Sequence, residues 1–502
     1  MVRGAKHRCK QRSLANGFMT MTSNNTTPSR PVRWQWMVGI FLLALAVFAA
    51  FSGDRLKAPS PDTHFVYLAN TYNQMIAATV SDEAAARRQG LEPFELDREP
   101  HHRNDWASYR EITLKSGEVV RGNWMERGQH GRFKLLSGDE MEIPRSEVRG
   151  AEQTRRYFVS FPPGPGFLMM PLAAIWGWEI NDVWFTLFFA ALNVLLMFLL
   201  LERLSGTGVS ERSRSDNLWL TGLFGFGTVH LWCAVLGQVW FTALVIGITF
   251  TLGYIYFGLH ARRPFLAGVC LAMAFATRTP LVFSALFFFL MVAFPGGRLI
   301  RPEQYKEGFK KLVLFCLPCL VMGLSLLFMN YLRFESFTEF GHRYLAEGRI
   351  ARIAEYGLFH WHFLGKNLSA AFTLMPELQT SYPYVVVSRH GMSLLLTTPA
   401  FAYLLWPRER RDAGERFLHR ALWATVAAIA IPGFLYQNTG YEQFGYRFSL
   451  DFTAYLIVLL AVGRRPLTRL FKACVLAGFA VNAFGAITFK RMAEFYSNRF
   501  FV

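Results

Sequence analysis

The sequence predicts an all-α, multi-pass transmembrane bundle of about eleven helices, with a small β-barrel of Sm-like or SH3-like type inserted in its first outside loop. Three observations predict it. Apolar stretches of ~20 residues, the length that crosses a bilayer, recur along the chain. Lys and Arg gather in alternate loops. Between residues 105 and 153 the apolar pattern changes from a helical to a two-residue period.

Composition agrees. Of 502 residues, 52% are apolar, only 18% are charged and 16% are aromatic, which excludes a disordered chain or a small disulfide scaffold. The formal charge of +18 raises the question of nucleic acid. Its distribution answers against it. Arg3, Lys6, Arg8, Lys10, Arg12, Arg30 and Arg33 precede the first apolar run, and later basic groups stand at Arg203–Arg214, Arg262–Arg263, Arg298–Lys311, Arg408–Arg420 and Arg464–Lys472. The intervening short loops carry almost none, so the charge reports topology, with residues 1–33 as a cytoplasmic tail.

The expected spans lie near 34–52, 182–201, 217–236, 239–259, 264–279, 280–295, 312–332, 391–406, 420–436, 447–463 and 470–488. Loops 53–181 and 333–390 then lie outside. The first run ends in small residues, as a cleaved signal peptide would, but ten further apolar runs favour a retained anchor. All six cysteines fall away from the outside loops, so no structural disulfide is expected.

Residues 34–80 form one unit: the first span, then APSPDTHFVYLANTYNQMIAATV, in which Phe65, Leu68, Tyr72, Met75 and Ile76 repeat as an amphipathic surface helix. Residues 105–153 form the barrel. Its strands are read at Ile112/Leu114, Val119/Val120, Phe133/Leu135, Met141/Ile143 and Val148, broken by Ser-Gly and Arg-Gly turns. It is either a rigid insertion packed on the membrane domain or a docking module for a partner. Residues 154–502 form the membrane core, opening with a short second surface helix over about 165–177.

Four runs carry a resemblance: PDTHFVYLAN (61–70), FPPGPGFLMMPLAAIWG (161–177), LAMAFATRTP (271–280) and GYEQFGYRFSLDF (440–452). In this order the chain resembles the GT-C superfamily of membrane glycosyltransferases, in particular the bacterial protein-mannosyltransferase and aminoarabinose-transferase-like enzymes. The resemblance covers nearly the whole chain except the barrel. It implies an enzyme of the bacterial inner membrane that takes a sugar from a polyprenyl-phosphate-linked donor at the periplasmic face and passes it to a glycan, lipid or protein acceptor among the membrane lipids.

Such a transfer needs a base for the acceptor hydroxyl and donors for the departing phosphate. Asp62 is the candidate base, with a helix N-cap as its structural alternative. Arg155, Arg156, Arg278 and Arg447 end apolar segments on the outside and are candidate phosphate ligands, with snorkelling to lipid headgroups as the alternative. Asp451 stands at i+4 from Arg447, a spacing for an ion pair. Tyr67, Tyr446, Glu339 and His342 complete the candidate substrate-binding set; the second acidic residue common beside the first in this superfamily is absent after Asp62, which counts against a two-carboxylate metal site, while a divalent metal bridging Asp62 or Glu339 with a histidine stays open. Two other function classes stay open as well. A polymerase or ligase of lipid-linked glycans would use Arg and His of the outside loops, and a transporter or scaffold would need no base at all.

Overall fold

The computed structural model describes residues 32–100, 105–126, 129–345, 353, 355–405 and 412–500. The tail 1–31, His101, His102 and the basic residues Arg408, Arg410 and Arg411 lie outside the described residues.

The chain opens with α1 (Trp34–Ser52), an uninterrupted apolar run that stops where Gly53 takes φ +52°, a conformation open to glycine. Next come α2 (His64–Ala78) and α3 (Asp82–Arg87), the latter capped by the Ser81 hydroxyl accepting from the Ala84 N–H. Five strands follow: β1 (Trp106–Leu114), β2 (Val119–Glu126), β3 (His130–Leu135), β4 (Glu140–Pro144) and β5 (Val148–Val159). The rest is mainly helical: α4 (Gly164–Trp176), α5 (Asp182–Gly206), α6 (Arg214–Phe226), α7 (His230–Ala234), α8 (Val239–Gly258), α9 (Pro264–Phe275), α10 (Ala285–Ala293), α11 (Tyr305–Phe334), α12 (Leu364–Phe372), α13 (Leu394–Thr397), α14 (Ala413–Leu435), α15 (Leu450–Val462) and α16 (Arg469–Thr488). Three short strands, β6 (Glu377–Leu378), β7 (Val385–Ser388) and β8 (Tyr496–Ser497), tie the second large loop to the end of the chain.

Among the described residues, six helices are long and apolar enough to cross a bilayer: those containing α1, α5, α8, α11, α14 and α16. The other five expected spans, 217–236, 264–279, 280–295, 391–406 and 447–463, are shorter or interrupted helices. Gly227 and Thr228 end α6, the Thr228 hydroxyl donating back to the Phe224 carbonyl at 2.7 Å. Arg278-Thr279-Pro280 separates α9 from α10, since proline donates no helix hydrogen bond. Helix α15 is buried on every side from Leu450 to Ala461, so neighbouring helices and not lipid surround it. Helix α11 is the opposite case. Val313, Leu317, Leu320, Val321, Leu324 and Phe328 all stand exposed on it, a face that suits hydrocarbon and not water.

The strands arise where alternation put them. Ile112, Leu114, Val120, Phe133 and Ile143 bury one small core, with Val148 against it. The Ser-Gly turns close the hairpins at Gly117 (φ +87°) and Gly138 (φ +101°). The order is β4-β3-β2-β1-β5, all antiparallel, with β4 and β5 at the edges. Pairings that would close this sheet into the expected barrel are not among those of the described residues. Strand β5 runs past residue 153 to Val159, paired there with Trp106, so the expected domain boundary falls inside a strand.

That second half of the sheet also displaces α2 from an open surface. Trp106, Tyr157 and Val159 cover Tyr67, Leu68 and Tyr72, while α4 packs on the opposite side through Met169 and Ala173. The helix is therefore buried from His64 to Tyr72 and exposed only near its end.

Contacts between distant segments define two ends of the bundle. At one end Asn181 donates to the Leu56 carbonyl, Arg55 to those of Ala486 and Phe489, and Gly164 N–H to that of Ala276. At the other, Arg212 donates to the Leu460 carbonyl and Arg464 pairs with Glu211 and Glu415. Arg212 and Arg464, from two of the basic loops, thus stand at the second end.

Candidate functional site

Asp62 lies on the extended segment between α1 and α2. Ser60 anchors that segment: its N–H and its hydroxyl donate to the two Asp182 carboxylate oxygens at 2.7 and 2.6 Å. Asp182 opens α5 and is itself buried, so the loop is held to the end of the bundle. Asp62 is 7% exposed. The Gln238 side-chain amide donates to its Oδ2 at 2.6 Å, and the Asp62 carbonyl accepts from the Val239 N–H at 3.2 Å. The first residues of α8 thus hold the candidate base by side chain and backbone together. The N-cap position of α2 is Thr63, whose side chain makes no capping bond.

Beyond Asp62 lies Lys490, just past α16. Burial pulls the Lys490 ammonium below its ordinary pKa; Glu442 and Asp62 oppose that shift, and the charges of Arg447 and Arg389 add to it. Its Nζ is 5.4 Å from the Trp240 ring centroid, and the Trp240 indole N–H donates to Asp105 at 2.9 Å. The Arg447 guanidinium lies 5.1 Å from the Phe241 ring and 5.6 Å from that of Phe448. Asp62 and Arg447 therefore each act on the Lys490 charge at the end of the bundle.

A cavity of about 260 Å³ opens beside Lys490, lined by Arg389, Glu442, Lys490 and Arg491 together with Phe489, Ala493 and Tyr496. Arg389 pairs with Glu442 at 2.7 Å, and Lys490 is 3.9 Å from the same carboxylate. Arg491 donates to the Phe51 and Ser52 carbonyls at the end of α1. Next to Arg389, His390 shares a 3.0 Å hydrogen bond with the Thr439 hydroxyl.

The remaining expected site residues have other partners. Arg278, expected on a phosphate, is bound by Asp451 through two hydrogen bonds of 3.0 and 2.6 Å. Asp451 thus pairs with Arg278 and not with Arg447, because two interrupted helices meet there and each supplies one buried charge. Arg156 is held by Glu95 and by both oxygens of Glu111, and Arg155 donates to the Ser108 hydroxyl, so both brace the sheet; the strand read at Val148 runs on to Val159 and turns them to carboxylate and hydroxyl partners. Tyr67 packs edge-on between Trp106 and Trp178. Glu339 closes its own loop by accepting from the Gly341 N–H and pairing with Arg343; His342 sits in a turn packed on β1. Tyr446 is fully buried with Ala370, Ala371 and Leu374.

Among the described residues no three His, Cys, Asp or Glu side chains are grouped to hold a metal ion. The groups about Asp62, an amide donor and an ammonium, also do not fit a divalent cation.

Sequence reasoning assigned no functional role to Gln238, Glu442, Lys490 or Arg491. One signal was available: Lys490-Arg491 follows the last apolar run on the side that is otherwise poor in positive charge.

No protein-family model and no curated protein matches this chain. Among solved structures, the chain is similar to a crystal structure of the Archaeoglobus fulgidus oligosaccharyltransferase tethered with an acceptor peptide. Identity is 11%, the TM-score is 0.43, and the match covers 90% of this chain and 55% of that one, so this chain spans little more than half of its length. A likeness at that TM-score assigns no role to any residue here.

Proposed function

We propose that this chain is a membrane glycosyltransferase that moves a sugar from a polyprenyl-phosphate donor to an acceptor hydroxyl at one face of the bilayer, in a single inverting displacement. One observation carries the reading: a buried carboxylate, Asp62, is held by Gln238 within electrostatic reach of the Lys490 ammonium at the end of an apolar helical bundle. The order of the four resembling runs points to the same chemistry.

In this mechanism Asp62 accepts the proton of the acceptor hydroxyl as its oxygen attacks the anomeric carbon. The bond from that carbon to the phosphate oxygen breaks, and its electron pair leaves with the phosphate. Lys490 and Arg447 stabilise the charge that develops there. Gln238 holds one carboxylate oxygen so that the base is preorganised. The acceptor is a glycan, a lipid or a protein, and the face is the outer one if the basic end of the bundle is cytoplasmic.

The test is release of free polyprenyl phosphate by purified protein from a panel of polyprenyl-phosphate sugars. Asp62→Asn is expected to lower turnover by ~100-fold, the scale of a lost general base. Undiminished turnover in that variant would remove Asp62 from the mechanism. A second reading, a lipid-linked glycan ligase, is favoured by the placement of Arg389, from the second large loop, at the cavity. It predicts that Arg389→Gln, and not Asp62→Asn, abolishes activity.

A further inference from the structure

The cavity beside Lys490 has an unusual charge balance. Arg389, Lys490 and Arg491 line it against the single carboxylate of Glu442, a formal charge of +2. Within the lining only Glu442 opposes them; from outside it Asp62 acts on Lys490 and Asp54 on Arg491. Arg491 is fixed by backbone carbonyls, which carry no net charge, and Lys490 rests against the face of Trp240. Glu442 is shared between Arg389 and Lys490 and keeps both at the cavity wall. A rigid excess of positive charge in a partly buried site is built for an anion.

The charge count distinguishes two anions of the reaction proposed above. In the donor, the phosphate is a diester with one negative charge. When the anomeric C–O bond breaks, the electron pair stays on the phosphate oxygen and the phosphate becomes a monoester, with roughly −1.5 to −2 charges near neutral pH. We propose that the cavity lined by Arg389, Lys490, Arg491 and Glu442 is a subsite for a phosphate monoester dianion, the polyprenyl phosphate that transfer releases, and holds it more tightly than the diester donor. This source of the phosphate rests on the transferase reading; the subsite itself rests on the cavity. The site thereby favours the charge that appears in the transition state over the charge of the ground state.

The experiment measures binding to the purified full-length protein in non-ionic detergent, with a short-chain polyprenyl phosphate as probe. Inorganic phosphate, phosphatidylglycerol and the uncharged polyprenol serve as competitors. Polyprenyl phosphate is expected to bind about tenfold more tightly at pH 7.5 than at pH 5, since the second phosphate proton leaves near pH ~6. Lys490→Gln is expected to weaken it about tenfold, and Glu442→Gln, which removes the only opposing charge of the lining, to tighten it several-fold. Inorganic phosphate should compete, whereas phosphatidylglycerol and polyprenol should not. A misfolded variant can only lose binding, so the opposite signs of the two substitutions exclude that explanation.

Equal displacement by phosphatidylglycerol would overturn the monoester assignment and make the cavity a lipid-headgroup site. Competition by inorganic phosphate with no gain from the polyprenyl chain would overturn the lipid source. Two substitutions that shift binding in the same direction, or not at all, would overturn the subsite. The transferase reading fails separately. It is lost if Asp62→Asn turns over normally, whatever the binding data show, and it survives if Asp62→Asn is inactive while Lys490→Gln and Glu442→Gln bind like the parent.

Discussion

At the scale of single residues, His390 carries a pH dependence set by its surroundings. Burial, with the nearby Lys366 charge, pulls the His390 imidazole down to about 4 from an ordinary value near 6.5. The unfolded chain therefore binds a proton that the folded one refuses between those two values. Above pH 6.5 both states are neutral and His390 makes no difference; as pH falls towards 4, stability is lost. Full burial would make this about 3 kcal/mol, and partial solvent screening reduces it to about 2 kcal/mol. His390→Gln should remove much of the difference in melting temperature between pH 7 and pH 4.5, measured in detergent. A variant that keeps the whole difference would assign the acid sensitivity to other groups.

At the scale of elements, the interrupted helices matter most. The break between α9 and α10 and the turn before α15 each bring one charge into the apolar bundle, Arg278 and Asp451, and the two satisfy each other over 173 residues of sequence. Removing one partner leaves the other buried and unpaired. Arg278→Met should cost about 3–5 kcal/mol, and the double substitution Arg278→Met with Asp451→Leu should recover much of that loss. Thermal unfolding of the two variants checks it; a double variant no better than the single one would show that the pair is not self-contained. The sheet belongs to this scale too. Its alternation was readable because a strand with its own core needs no distant partner: Ile112, Val120, Phe133 and Ile143 find each other locally. The role of β5 was not readable, because Arg155 and Arg156 look like any pair of cations before an apolar helix until pairing with β1 sets them beside Ser108, Glu95 and Glu111.

At the scale of the whole molecule, the helices are sorted by what surrounds them. Helix α15 is enclosed by protein, while α11 turns a long apolar face outward. That face is the place to test residence in a bilayer. Leu320→Arg puts a charge near the middle of α11, where insertion scales set a cost of about 2.5–3.5 kcal/mol. The variant should be recovered in the membrane fraction after carbonate extraction at a clearly lower yield than the parent. An unchanged yield would mean that this face of α11 is covered by protein and not by lipid.

The sequence by itself determined the mainly helical class, the apolar runs from which the long helices form, the grouping of the basic loops, the small strand-rich insertion and the position of Asp62 just past the first helix. These are local properties, set by runs of ~20 residues or fewer, and they add along the chain. The tertiary structure alone decided which expected spans are broken, that Arg278 belongs to Asp451, and that Gln238 binds Asp62 with Lys490 in electrostatic reach. Gln238 is 176 residues from Asp62, and Arg491 reaches the end of α1 across 440. Which charges meet at such separations depends on how helices pack, and no local periodicity encodes that.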